Sequence, residues 1–422
     1  MTPNQRWDMD LRELKGLEIA ARCRIVFDGG MWLVPSQSGS GTYRVTLQPE
    51  VSCQCEDFQL RRQPCKHVIA ARLVQERDHG GKAPAIDTAA VPKRKTYTQD
   101  WPAYNLAQTT EKHRLQVLLA ELCRGVEELP YKGGRPRIPI ADVIFACAFK
   151  VYSTVSSRRF ACDLADAHER GHMSRAMHPN KVNAYLEMPE LTPILRRLIT
   201  LSSLPLRAVE TDFAVDSSGF SSSRFVRWYD EKYGTHRTGH DWVKVHVLCG
   251  VKTHTVPAIE ILDKNAGDCP QLPSLLGTTA QHFTVNEVSA DKAYLSHANL
   301  ETVVALGATP FVPFKSNSQD GGEGVWSKMY HYFQFRREEF LAHYHKRSNV
   351  ESVFSMVKAK FRDHVRSRTD VAMANEVYCK FLCHNVCRVI QAQCELGIEP
   401  VFWGDEKGAD DAPAVLPFAR PG

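Results

Sequence analysis

The spacing of apolar positions changes character along the chain. Between Phe340 and Arg362 apolar residues recur at helical intervals with no Gly or Pro, which predicts one helix of several turns. Val350, Val353, Phe354, Val357 and Phe361 share an arc that can sink into a core. From Leu206 onward the period drops to two. RAVETDFAVDSSGF, DWVKVHVLCGV at 241–251 and TVPAIEILD at 255–263 predict three strands in an antiparallel meander. In the second, Val243, Val245 and Val247 take one face and Trp242, Lys244, His246 and Leu248 the other. A helix capped by Asp268, a strand ending at Asp291, a helix over LSHANLETVVALG and a strand over ATPFVPF follow. The polar loop SNSQDGGEG then leads to the Phe340–Arg362 helix. Three strands, helix, strand, helix, strand, helix predicts a mixed sheet flanked by helices.

Upstream, residues 100–205 read as helices, a place suited to DNA-end binding, with Arg135 and Arg137 in the loop YKGGRPRIPI as candidates to line a DNA path. Residues 81–99 are rich in Gly, Pro and Ala and read as a linker carrying Lys93, Arg94 and Lys95. Before it, Asn4 to Arg24 predicts an amphipathic helix, and MWLVP at 31–35 and TYRVTLQ at 42–48 a hairpin. The expectation is a multidomain α+β chain: an N-terminal module over 1–80, the linker, a helical module over 100–205, an α/β domain over 206–395 and a tail over 396–422.

Composition narrows the class. The 422 residues are 43% hydrophobic and 24% charged, the balance of a soluble globular protein. No apolar run approaches the ~20 residues of a membrane span, and the N-terminus has no hydrophobic signal core, so a cytoplasmic chain is expected. Thirteen cysteines scattered without a secretory signal fit reduced thiols plus one metal site. A net charge of +5 permits a polyanionic partner without demanding one.

The metal site is local. Cys53, Cys55, Cys65 and His67 follow the order Cys-x-Cys, nine residues, Cys-x-His. Three thiolates and one imidazole complete a closed tetrahedral shell for structural Zn²⁺. The segment resembles a SWIM-type zinc finger, with strands before it and a helix from about Lys66 after it. That family binds DNA or protein partners. Arg61, Arg62 and Lys66 are basic residues beside the metal. A second thiol group, Cys379, Cys383 and Cys387 with His384, lies at helical spacing and reads as the core face of a helix more readily than as a metal site.

The remaining chemistry is acidic. Tyr344, Arg347, Glu351 and Lys358 are separated by 3, 7 and 14 residues, so they project within roughly 60° of one another on one helix face. Asp216 and Asp291 sit at the expected ends of the first and fourth strands. The Tyr-x2-Arg-x3-Glu-x6-Lys spacing, with ADKAY around Asp291 and AVDSSGF around Asp216, resembles the DDE transposases of bacterial insertion sequences over about residues 205–392. That resemblance implies a ribonuclease-H-like catalytic domain in which Asp216, Asp291 and Glu351 hold two Mg²⁺ ions, with Mn²⁺ as an alternative. It also implies that Lys358, Arg347 and Tyr344 hold the phosphates of transposon ends. The expected partners are end and target DNA and a second copy of the chain on that DNA, with the protein in the nucleoid. Sixty residues from Asp291 to Glu351 leave no room for a large β-insertion. Two other classes stay open: a domesticated DNA-binding regulator with a silent core, and a nuclease without joining activity. His246 reads as a partly buried histidine. Arg362, Arg366 and Arg368 are open between a DNA contact and plain surface charge.

Overall fold

The computed structural model describes residues 11–36, 41–78, 100–130, 133–134, 137–222, 242–262 and 265–403. Residues 4–10 of the expected first helix, the linker with its Lys93, Arg94 and Lys95, Arg135, and the tail from Gly404 lie outside the described residues. The chain divides into two compact units, Met1–Thr98 and Gln99–Gly422.

In the first unit, α1 (Leu11–Arg22) precedes an antiparallel sheet of β1 (Val26–Asp28), β2 (Met31–Pro35), β3 (Thr42–Thr46) and β4 (Ser52–Cys53). Helices α2 (Glu56–Arg61) and α3 (Lys66–Asp78) follow. Alternation along β2 turns Trp32 and Val34 inward, where they meet Val45, Ile19, Phe58 and Val68. Cys53, Cys55 and Cys65 belong to the same small core. A core of this size leaves a module marginal, and a bound metal is the usual supplement.

The second unit begins with helices α4 (Trp101–Arg124), α5 (Ile140–Ser153), α6 (Ser157–Glu169), α7 (Pro179–Leu186) and α8 (Leu191–Ser203). The sheet contains β5 (Asp212–Ser222), β6 (Trp242–Gly250), β7 (Ala258–Leu262), β8 (Glu287–Ala290) and β9 (Thr309–Phe311) in the order β7-β6-β5-β8-β9. The first three are antiparallel; β8 runs parallel to β5 and β9 parallel to β8. Strict alternation splits the sheet between two cores. Ala214, Phe220, Val243, Val245 and Val247 face one, and Phe213, Val215 and Leu248 the other. Helices α9 (Leu272–Ala280), α10 (His297–Ala305), α11 (Gly324–Phe335) and α12 (Arg337–Tyr344) cover the second face. Helices α13 (Ser348–Phe361) and α14 (Asp370–Leu396) cover the first, and the two-residue strand β10 (His364–Val365) between them pairs with the end of β5.

Helix α14 is apolar around most of its circumference and packs against α4, α5 and α8. The helices of 101–203 therefore share one core with the sheet: Leu115, Phe145 and Leu195 join Val245, Val353 and Phe381 in a single cluster. Cys379 and Cys383 are buried in it, and His384 donates from Nε2 to the His254 carbonyl at 2.8 Å, so this stripe is core packing. Among the described residues no helix is long and apolar enough to cross a membrane.

Several local expectations are revised. The helix expected over Phe340–Arg362 is two α-helices joined by a 3-10 turn at His345–Arg347. Helix α11 occupies a stretch from which no element was expected. Asp268 does not cap its helix; a 3-10 turn at Cys269–Gln271 intervenes, and the carboxylate is drawn instead to Lys244 and Ser217. Asp216 is the fifth residue of the eleven in β5, not its end, because β6 continues to pair with Ser217 through Ser221.

Candidate functional site

Register explains how the two aspartates meet. The parallel β5–β8 ladder pairs Asp212 with Glu287 and ends at Val215 with Ala290. Asp216 and Asp291 are the next residues on each strand, so they stand side by side where the ladder stops, at the ~4.8 Å spacing of neighbouring strands. Each turns one oxygen back on its own chain: Asp216 Oδ1 accepts from Ser217 N at 2.8 Å and Asp291 Oδ1 from Lys292 N at 2.8 Å. Asp212 and Asp216 are four residues apart on one face of β5, and Glu287 and Asp291 four apart along the partner.

The 3-10 turn places cations over this acidic face. Lys346 Nζ reaches Asp212 Oδ2 at 2.7 Å and Glu287 Oε2 at 2.6 Å, and His343 Nδ1 lies 3.0 Å from the same glutamate. One residue on, Arg347 joins Asp216 Oδ2 and Glu351 Oε1, both at 2.5 Å. Its guanidinium also lies 6.0 Å from the Tyr344 ring centroid. Burial pushes the Asp216 carboxyl above its ordinary value; the Ser217 N–H and Arg347 oppose this, while the charges of Asp291 and Glu351 add to it. Asp216 thus lies within electrostatic reach of the other two expected carboxylates. The three are not gathered into a ligand cluster, however. Among the described residues the only group of three or more Cys, His, Asp or Glu with ligand atoms within 4.8 Å of one another is Cys53, Cys55, Cys65 and His67. The Arg347 guanidinium stands between Asp216 and Glu351.

Lys358 lies two turns beyond Glu351. Its Nζ donates to Ser218 Oγ at 2.7 Å on the Asp216 face of β5, and it lies 5.3 Å from the Phe220 ring. Burial lowers its pKa. Among the described residues it forms no ion pair, which leaves its charge available to an anion.

Behind Asp216, on the opposite face of β5, sits a polar group that sequence reading did not assemble. Asp268 is 2.7 Å from Lys244 Nζ and accepts from Ser217 Oγ at 3.2 Å, while His246 Nδ1 lies 3.2 Å from the Tyr294 hydroxyl. His246 is wholly buried, more so than expected, and burial holds its pKa down. Asp212, Glu287, His343 and Lys346 also escaped the sequence reading. For Asp212 and Glu287 the signal is the four-residue repeat of acids on adjacent strands, visible only once the register is known.

Lys346 yields a stability prediction. Burial works against its charge, but hydrogen bonds to Asp212 and Glu287 outweigh it and raise its pKa above the ordinary 10.5. That contribution is complete below pH 10.5 and fades as pH rises through the raised value. Lys346→Met is expected to destabilise the second unit by about 1–3 kcal/mol at neutral pH, because two part-buried carboxylates lose their common cation. A melting curve shifted by less than a degree would remove this role.

In the first unit, His67 Nδ1 is 3.9 Å from both the Cys53 and Cys65 sulfurs, and all four ligand atoms lie within 4.8 Å of one another. A tetrahedral zinc centre places sulfur and nitrogen ligands roughly 3.6 Å apart, so a small contraction completes the shell. All four residues are buried. A hydrogen bond from Cys53 lowers the Cys65 thiol, and that same bond, with burial, raises Cys53. The thiols cannot all ionise here without a cation, and the donor set fits zinc.

Comparison with known families finds a match over each of the two regions. A transposase DDE domain model matches residues 207–386, a little under half of the chain. A SWIM zinc finger model matches residues 43–73, which include all four zinc-type ligands. No curated protein and no solved structure matches the chain. Strand register, the acidic face and the Cys₃His cluster thus coincide with the two matched regions, and the chain carries a transposase DDE domain preceded by a SWIM zinc finger.

Proposed function

We propose that this chain is an insertion-sequence transposase of bacterial or archaeal type. It binds element ends, cleaves DNA by Mg²⁺-dependent hydrolysis and joins the freed 3′ end to target DNA. The observation that carries this reading is the side-by-side placement of Asp216 and Asp291 at the end of the β5–β8 ladder, with Glu351 tied to Asp216 through Arg347. The strand order β7-β6-β5-β8-β9, antiparallel then parallel, supports a ribonuclease-H-like core.

An all-oxygen donor set suits a hard divalent cation. Asp216, Asp291 and Glu351 would hold a pair of Mg²⁺ ions, which supply Lewis-acid activation of the attacking and leaving oxygens when bound. Arg347 exchanges its carboxylate partners for backbone phosphate as they are taken up. Lys358, supported on Phe220, binds a phosphate beside the reacting one, and Tyr344 fixes the orientation of Arg347. The two basic chemistries divide the work: cations position the strand and the carboxylates bring the reaction to it. Two ends held at once call for a dimer on DNA, and a cytoplasmic, nucleoid-associated protein fits that work.

The test is a supercoiled plasmid carrying the flanking genomic DNA, incubated with Mg²⁺. Wild type is expected to nick at the element ends and to produce joined strands. Glu351→Gln is expected to lose cleavage by at least about 10³-fold while DNA affinity changes less than about threefold. Undiminished cutting by that variant would remove Glu351 from the chemistry. Cutting without joined products would point to a nuclease, and binding without cutting to a regulator.

A further inference from the structure

At the far end of α13 from Glu351 lies a cleft of about 480 Å³ whose lining includes Lys150, Arg362, Arg366 and Arg368. We propose that this cleft is a second phosphate-binding site, which grips the backbone of the same DNA several nucleotides from the reacting phosphodiester. The proposal rests on the transposase reading and extends it to residues outside the Tyr-Arg-Glu-Lys face.

Charge is the first argument. Four cations line the cleft against two carboxylates, Glu187 and Glu376. Glu376 is already engaged: its oxygens accept from Arg366 N at 3.1 and 2.9 Å and from Ser367 N at 2.9 Å. Three of the four cations instead donate to backbone carbonyls. Lys150 Nζ bonds the Val155 carbonyl, Arg366 Nη1 reaches the same oxygen at 3.0 Å, and Arg362 Nη2 reaches the Thr154 carbonyl at 3.1 Å. Burial, then the nearby Arg366, pushes Lys150 down to about 8, and burial with Arg362 lowers Arg366. Like charges held together without a matching anion mark a place where an anion is favoured.

Rigidity is the second argument. The turn bearing the arginines is clamped from beneath by α14. Besides the Glu376 bonds, buried Lys380 donates from Nζ to the carbonyls of Arg362 at 3.0 Å and His364 at 2.7 Å. Arg362 has φ +74°, and Thr154 across the cleft +54°, backbone states that cost energy for residues with a Cβ and persist where the surroundings impose them. A lysine and a glutamate are thus spent, deep in the fold, on holding a short basic turn in place. That is preorganisation of the kind a binding site needs.

Position is the third. Eleven residues of helix separate Glu351 from Arg362, roughly 16 Å at 1.5 Å per residue. Strand β5 gives the same distance independently, since Ser221, paired with His364, is five residues, or roughly 16 Å, beyond Asp216. At about 3.4 Å of rise per nucleotide this is about five nucleotides. Lys358 lies between the two places on the same helix.

The test uses a fluorescently labelled random-sequence DNA duplex, with affinity measured across a salt series for wild type, an Arg366→Gln/Arg368→Gln pair, and Arg368→Gln alone. Arg368 makes no hydrogen bond among the described residues, so its replacement leaves the fold intact. A Lys328→Gln/Arg337→Gln pair removes the same charge from exposed positions outside the cleft. The cleft pair is expected to weaken binding about five- to tenfold and to flatten the slope of log affinity against log salt by about 0.9 for each phosphate no longer neutralised. Arg368→Gln alone is expected to show part of that change, and the outside pair less than a twofold change. If wild type binds and cuts DNA but the cleft variants keep its affinity and slope, the cleft proposal falls and the transposase reading stands. An equal weakening by the outside pair also overturns it, since the effect is then general charge. If wild type binds no DNA, both fall.

Discussion

Replacing Asp216 by Asn is expected to reduce Mg²⁺-dependent cleavage by at least about 10³-fold and to leave the melting temperature unchanged or higher. The first half follows from charge. A divalent ion between carboxylates stabilises the oxygens that gain charge in phosphoryl transfer, and a neutral amide is a poor ligand for a hard cation. A loss of about 4 kcal/mol of transition-state stabilisation corresponds to that factor. The second half follows from what the fold spends on this residue. Burial pushes Asp216 toward its neutral form, and Asp291 and Glu351 push the same way. A neutral side chain of the same shape removes that penalty, while Arg347 keeps Glu351 as a partner. An aspartate whose role was structural, as the partner of Arg347, would give the opposite pattern of a lower melting temperature with cleavage retained. Measuring both on one preparation separates the two, and cleavage within tenfold of wild type would end the proposed role.

Chelation of zinc, or Cys65→Ser, is expected to unfold the first unit while the second keeps its cooperative transition. The first unit's core is small and includes three of the four ligands, so a bound metal holds a large share of its stability. Removing one thiolate leaves three ligands around a buried ion and lowers affinity by several orders of magnitude. The second unit has two extensive cores of its own. Metal analysis should find about one zinc per chain in wild type and less than about a tenth of that in the variant. Full zinc occupancy in Cys65→Ser, or an unchanged first transition after chelation, would contradict the assignment.

Legibility from the sequence varied with how local the cause was. The Cys₃His set is local, with four ligands inside fifteen residues, and the cluster is where its spacing placed it. The meander β5–β6–β7 was legible because alternation with a period of two leaves little choice of face. Helix α13 keeps its expected buried flank, with Val350, Val353 and Val357 inaccessible. The break before it was not legible, because the 3-10 turn at His345–Arg347 keeps near-helical dihedrals and carries no Gly or Pro to announce it. That turn aims Lys346 and Arg347 at different carboxylate pairs.

By itself, then, the order of amino acids determined the Cys₃His cluster, the order of the strands β5 to β9, and the buried flank of helix α13. Each depends on spacing within a short stretch, where covalent geometry sets the periodicity. Only the tertiary structure decided that Asp216 and Asp291 are neighbours across a ladder's end, that Arg347 lies between two of the three acids, and that the helices of 101–203 share the sheet's core. Those facts rest on register and packing between residues far apart in the chain, as Asp216 is from Asp291 and from Arg347, and no local pattern encodes which side chain fills the space between two others.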